Sequence, residues 1–229
     1  PSEDVKSEGI MDGLARSGAE SARGPAIFPI VAGDLVYLQS HRDIAAVHRN
    51  SGAVAWAMRS EEPEGEASPY MDDKPLGGES PVVDEGRLFA ALPTNDSTYY
   101  DYETARTVHE LVALDALTGT VLWRVAQKAV DAQGTATAYD SAPVARNGRV
   151  YIVSRRRRSF GFEDCYLDAY RATDGKLLFR THLASASTSA LGVRGATRSI
   201  ASLQGDSVYV CTNLGTIAAV GAYTGGVRW

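Results

Sequence analysis

The chain has 229 residues, 44% of them hydrophobic and 22% charged, with a formal net charge of -5. That balance suits a chain with a sizeable core and excludes wholesale disorder, while so small a charge provides no basic field for nucleic acid. No apolar run approaches the roughly 18 residues that cross a bilayer as a helix, and the two cysteines, Cys165 and Cys211, form neither a disulfide framework nor a close-spaced zinc motif.

In chain order, residues 1–25 read as a polar segment or linker. The opening at Pro1, without the basic, apolar and small-residue succession of a secretion signal, predicts that the natural start lies elsewhere. From residue 26 the chain repeats itself, as stacked supersecondary units do. Each unit starts a short strand, after Pro29, Pro81 and Pro143 in three copies and at Ile200 in the fourth; proline at a strand's first residue removes no ladder bond. A turn containing glycine follows, then a β-branched or aromatic run: Leu35–Leu38, Leu88–Ala90, Val150–Val153 and Val208–Val210. Such a pair of runs is a hairpin. Next comes an alanine (Ala46, Ala113, Ala169, Ala219), and ten residues later an aromatic (Trp56, Trp123, Phe179, Trp229) preceded at four residues by glycine (Gly52, Gly119, Gly175, Gly225). Each unit therefore predicts four short antiparallel strands, A to D, and the chain an all-β propeller. Blades are expected over about 26–60, 79–126, 141–183 and 198–229.

Alternating strand direction puts the short A–B and C–D turns on one face and the B–C and D–A connections on the other. The separation from turn glycine to repeat alanine is 13 and 14 residues in units one and four but 27 and 21 in units two and three. The elaboration thus gathers on the B–C face, where partner-binding loops are expected. Three tyrosines there, Tyr99, Tyr100 and Tyr102, are candidate interface anchors. The run Arg155, Arg156, Arg157 and Arg158 is a candidate grip for an acidic group, though a solvated hairpin tip explains it as well. The acidic stretch Glu61, Glu62, Glu64, Glu66, Asp72 and Asp73 matches no calcium loop and reads as a solvated linker. His41-Arg42-Asp43 lacks the asparagine and glycine-rich loop of a kinase, and no nucleophile elbow or dinucleotide fingerprint occurs. Asn95-Asp96-Ser97 is a formal glycosylation sequon. The two cysteines read as buried free thiols, bridged only if the protein is exported.

In unit two, Ala113-Leu114-Asp115-Ala116-Leu117-Thr118-Gly119-Thr120-Val121-Leu122-Trp123 resembles the tryptophan docking motif of pyrroloquinoline-quinone-type propellers, A-x-D-x-x-x-G-x-x-x-W. The likeness covers about residues 26–229. His48, Arg171 and Gly221 replace the aspartate and Phe179 one tryptophan, which implies weaker contacts between blades there. The resemblance implies a ring of seven or eight blades, of which these four are an arc ending at Trp229, so that further blades of the chain would be partners. It implies an extracytoplasmic, bacterial setting and one of two functions. One is a non-catalytic scaffold presenting its looped face to proteins, as in the propeller lipoprotein of the outer-membrane β-barrel assembly machinery, with no cofactor. The other is a dehydrogenase of alcohols or sugars using pyrroloquinoline quinone and calcium, whose relatives often carry adjacent cysteines that this chain lacks.

Overall fold

The computed structural model describes residues 28–40, 43–59, 80–93, 109–126, 137–159, 162–187 and 198–229. These form four small antiparallel sheets arranged as successive propeller blades. Blade one contains β1 (Ile30–Ala32), β2 (Leu35–Gln39), β3 (Asp43–His48) and β4 (Val54–Arg59); blade two contains β5 (Val82–Asp84), β6 (Arg87–Pro93), β7 (His109–Asp115) and β8 (Val121–Ala126). Blade three adds an extra strand, β9 (Thr137–Tyr139), to β10 (Val144–Arg146), β11 (Arg149–Ser159), β12 (Phe162–Arg171) and β13 (Leu177–Ser187). Blade four has β14 (Ile200–Gln204), β15 (Ser207–Cys211) and β16 (Ile217–Gly221), and a bridge pairs Val220 with Val227. The A strands β1, β5, β10 and β14 neighbour one another from blade to blade and so lie innermost.

Each interval between blades is a separate apolar core. The first holds Tyr37, Ile44, Ala46 and Trp56 of blade one against Leu88, Ala90, Leu114 and Ala116 of blade two. The second holds Phe89, Leu111, Ala113 and Trp123 against Val150, Ile152 and Ala172, and the third Tyr151, Leu167, Ala169 and Phe179 against Val208, Val220 and Ala222. The repeat alanine is explained by register: Ala46 lies opposite Tyr37 on one side and Trp56 on the other, and Ala113 and Ala169 are likewise flanked by two rings. The paired rings sit 6.1, 5.9 and 6.4 Å apart, centroid to centroid, in tilted contact. Any larger side chain in the middle would push them apart.

The C–D turn repeats in four copies, with Gly52, Gly119, Gly175 and Gly225 donating to the carbonyls of His48, Asp115, Arg171 and Gly221. At Gly119 two demands meet: φ is +72°, and a Cβ would lie 2.6 Å from Cδ2 of Trp56 in the previous blade. The bare turn is the seat of the neighbouring ring. Trp56 Nε1 then donates to the Ala116 carbonyl at 2.9 Å, and Trp123 Nε1 to Ala172 at 3.0 Å. Phe179 has no donor, but Tyr151 OH reaches the Ala222 carbonyl at 2.8 Å. At the first interface Tyr37 OH and Trp56 share Ala116.

Asp115 corrects one implication of the resemblance. Its carboxylate accepts from Leu117 N, Thr118 N and Thr118 Oγ1, all within its own turn. Replacing it in other copies alters the turn and not the blade contact; Asp174 takes over in blade three by accepting from Lys176 N. Blade three differs from the other blades in strand length. Its B–C insertion is strand rather than loop, lengthening β11 and β12, and β13 runs on to Ser187. Cys211 is exposed rather than buried, and both thiols are free.

Two outcomes follow. Tyr151→Phe leaves Ala222 O with the longer Arg149 Nη1 bond of 3.4 Å and no aromatic donor among the described residues, and should cost about 1 kcal/mol in urea unfolding, whereas Tyr37→Phe leaves Trp56 at 2.9 Å on Ala116 O and should cost less. The Thr118 backbone N–H, then the Thr118 hydroxyl, hold the Asp115 carboxyl below its usual range. A carboxyl depressed in the folded state stabilises above its unfolded pKa and loses that contribution as pH falls through the folded one. Asp115→Asn should therefore flatten the loss of stability below about pH 4, read as unfolding midpoint against pH.

Candidate functional site

Tyr99, Tyr100, Tyr102, the acidic stretch, the sequon and His41-Arg42 lie outside the described residues. The arginine run lies on β11, and its first member is not a solvated tip residue: Arg155 is buried. Where β11 projects beyond the length of other B strands, β9 pairs along it, Ser154 opposite Tyr139 and Arg155 opposite Ala138. This pairing carries Asp140 alongside Arg155, whose Nε lies 2.9 Å from Asp140 Oδ1 and whose Nη1 donates to Glu163 Oε1 at 2.9 Å. All three side chains are more than nine-tenths buried. Asp140 Oδ2 also accepts from Ser199 Oγ at 2.6 Å, and Asn213 N donates to Ser199 Oγ at 3.0 Å. The cluster thus ties β9, the long hairpin and blade four together. Arg156 lies opposite Asp164 on β12, half buried, and Arg157 and Arg158 continue the same strand.

Asp168, fully buried, forms a second cluster. Arg180 donates to it through Nε and Nη2 at 2.6 and 2.7 Å, and Ser154 Oγ donates at 2.9 Å; the bond to Asp168 raises the Arg180 pKa. Tyr139 OH and Tyr170 OH are 2.9 Å apart and extend the chain of bonds to β9.

A third cluster invites a nucleophile reading and fails it. Ser185 Oγ lies 2.7 Å from His182 Nε2, with Asp164 buried beside them. A hydrolytic triad needs the carboxylate on the far ring nitrogen. Here Ser185 donates its only hydroxyl hydrogen to Asp164 Oδ1 at 2.6 Å, so His182 Nε2 must donate to Ser185 and cannot take its proton. The cluster fixes strand ends; it is not a base and nucleophile pair.

Cys165 donates to Asn213 Oδ1 at 3.2 Å, and burial, reinforced by Asp140, pushes its thiol up to about 12. Such a thiol is inert. Among the described residues no group of three or more His, Cys, Asp or Glu side chains is placed to hold a metal ion, and Asp140 and Glu163 are both engaged by Arg155. No helix among the described residues is long and apolar enough to cross a membrane.

None of Asp140, Glu163, Ser199 and Asn213 was singled out by sequence reasoning, because nothing local marks them; they meet through β9 and the blade interface.

Arg155→Met would strand Asp140 and Glu163 without their cation. It should cost about 3–5 kcal/mol, measured by chemical unfolding, and Asp140 and Glu163 would no longer be compensated.

The chain belongs to the family described as outer membrane protein assembly factor BamB, whose model matches residues 40–229. No curated protein matches it. Among solved structures it is similar to BamB from Moraxella catarrhalis, at 18% identity and a TM-score of 0.49, covering 88% of this chain and 50% of that one. It is similar also to a europium-containing methanol dehydrogenase, at 16% identity and a TM-score of 0.55, covering 88% and 40%, and to quinohemoprotein alcohol dehydrogenase from Comamonas testosteroni, at 15% and 0.53, covering 88% and 34%. The chain spans half or less of the length of these proteins. The dehydrogenase likenesses are likenesses of fold.

Proposed function

We propose that the protein is a non-catalytic propeller scaffold, working outside the cytoplasm, that binds a protein partner of outer-membrane protein assembly through its B–C face. The observation that carries this reading is the third blade. Its β11–β12 hairpin projects on that face, and buried ion pairs at Arg155 and Asp168 brace it. A charge cluster sealed inside strands has no room to bind substrate, but it fixes the presentation of what lies beyond it, and a rigid platform lowers the ordering cost of binding. Arg156, Arg157 and Arg158 continue from the braced segment toward the tip, where they suit an acidic partner surface. Membership of the assembly-factor family supports the scaffold reading.

The test places a photo-crosslinking residue at Arg157 on the B–C face and, separately, at the exposed Leu117 on the turn face, in the source cells. Protein adducts from Arg157 and few from Leu117 are expected, and the adducts should fall several-fold when Arg156 and Arg158 become serine with Arg155 kept. Equal adducts from both faces would remove the B–C face from the reading. Dye-linked oxidation of an alcohol or sugar on adding pyrroloquinoline quinone with calcium would overturn the scaffold reading itself.

A further inference from the structure

We propose that Asn147, which precedes Gly148 in the A–B turn of blade three, is a deamidation site gated by the neighbouring blades. Contacts from Asp84 of blade two and Tyr223 of blade four hold the turn in its unreactive form, and loss of either contact releases it. The turn lies on the face opposite the B–C loops, so nothing in it depends on the partner assigned there.

Of the four asparagines in the chain, Asn50, Asn95, Asn147 and Asn213, Asn147 alone precedes glycine, and it is exposed. The chemistry needs no reagent but water. Gly148 N attacks Asn147 Cγ and forms a C–N bond; the peptide N–H gives up its proton, and the carboxamide nitrogen leaves as ammonia. Water then opens the five-membered imide at one carbonyl or the other. The products are aspartate and, where the main chain now runs through the side chain, isoaspartate. Glycine permits this readily because it has no side chain to shield its nitrogen.

Turn geometry decides whether that nitrogen can reach. Arg146 pairs with Arg149 across a two-residue loop, and φ of +53° at Asn147 and +71° at Gly148 make the turn type I′. The first central ψ of that type is about +30°, which places Gly148 N on the side opposite the Asn147 Cβ–Cγ bond. In type II′ that ψ is about -120°, and the two come together. Passing from one to the other takes a flip of the single peptide between Asn147 and Gly148. The blade accommodates the second type at this place. In blades one and four the glycine comes first, Gly33 at +60° and Gly205 at +59°, and the Asp34 and Asp206 that follow are not in the left-handed region, which is the II′ pattern. The strands therefore need not move for Asn147 to become reactive.

Two contacts from outside the turn oppose the flip. Gly148 N donates to Asp84 Oδ2 at 3.3 Å, a bond lost when the peptide turns over. Asn147 Nδ2 donates to Tyr223 OH at 3.1 Å, which holds the carboxamide toward blade four. Tyr223 is itself fixed, since the Arg149 guanidinium lies 4.9 Å from its ring centroid and Arg149 Nη1 donates to its carbonyl at 3.1 Å. Blades two, three and four thus meet at this dipeptide, and Asn147 is protected while both neighbours stay seated. The product then works against the junction. It adds a carboxylate near Asp84 and near Glu85, whose Oε2 would lie 3.9 Å from a Cβ on Gly148, and isoaspartate lengthens a turn that has only two residues. The modification is a chemical record of blade separation.

The experiment incubates the purified chain at mildly alkaline pH and follows the peptide carrying Asn147 by mass spectrometry, with isoaspartate resolved from aspartate by fragmentation. The same chain in urea supplies the unfolded rate. Deamidation of Asn147 should run at least tenfold slower in the folded chain than in urea, and should rise several-fold in Asp84→Ala and in Tyr223→Phe. Tyr223 is 50% exposed, so Tyr223→Phe removes only a surface hydroxyl and carries the test if Asp84→Ala folds poorly. Trp56→Phe weakens the first blade interface without touching either contact and should leave the rate unchanged. A folded rate equal to the unfolded one, or a rate indifferent to Asp84 and Tyr223, overturns the proposal. Equal acceleration by Trp56→Phe does so too, because global unfolding would then be the route.

Discussion

Everything in this molecule is hung on a ring lying against a glycine that has no side chain to interfere. The aromatic of one blade covers the C–D turn of the next, and at two of the three interfaces its indole N–H ends on a carbonyl three residues ahead of that glycine. A Cβ would intrude at 2.6 to 2.8 Å, well inside contact distance, so the turn glycine is demanded by the neighbouring blade as much as by its own backbone. The same ring requires a small residue beneath it, and alanine is there in every copy. Blade stacking, turn chemistry and strand composition are thus one constraint seen from three positions.

That constraint tolerates substitution because the carbonyl has two possible donors. Where strand B supplies phenylalanine, as at Phe89, the tryptophan donates; where strand D supplies Phe179, the tyrosine at Tyr151 does. Each interface keeps at least one aromatic donor on its acceptor. Losing the aromatic donors would weaken each of these acceptors, although Ala222 O would keep Arg149 Nη1 at 3.4 Å.

Blade three spends its extra residues differently from the others. Lengthened strands need something to bury at their far end, and here that is ionic: Arg155 between Asp140 and Glu163, and Arg180 on Asp168. Buried ion pairs add little net stability, but breaking one is costly, so such clusters hold a single arrangement. Their burial argues for a fixed surface beyond them and against chemistry within them. The Ser185, His182 and Asp164 group carries the same lesson, since its carboxylate takes the hydrogen that a nucleophile would have to surrender.

The alanine, glycine and aromatic offsets were enough by themselves to determine an all-β propeller and its strand order within a blade, because those residues answer to local geometry repeated four times. The same residues on strand B, Tyr37, Phe89, Tyr151 and Tyr209, were legible only as part of an aromatic run; their pairing across the alanine emerges from register. The arginine run illustrates what no local pattern contains. Four successive arginines read as a wet hairpin tip, yet Arg155 is sealed inside because β9, from a connection whose composition shows no strand signal, returns to pair with β11 and brings Asp140 with it. Cys165 and Cys211 read alike in sequence and differ in the fold, one buried beside Asn213 of blade four and one exposed. Burial is a property of what arrives from elsewhere in the chain, and only the tertiary structure decides what arrives.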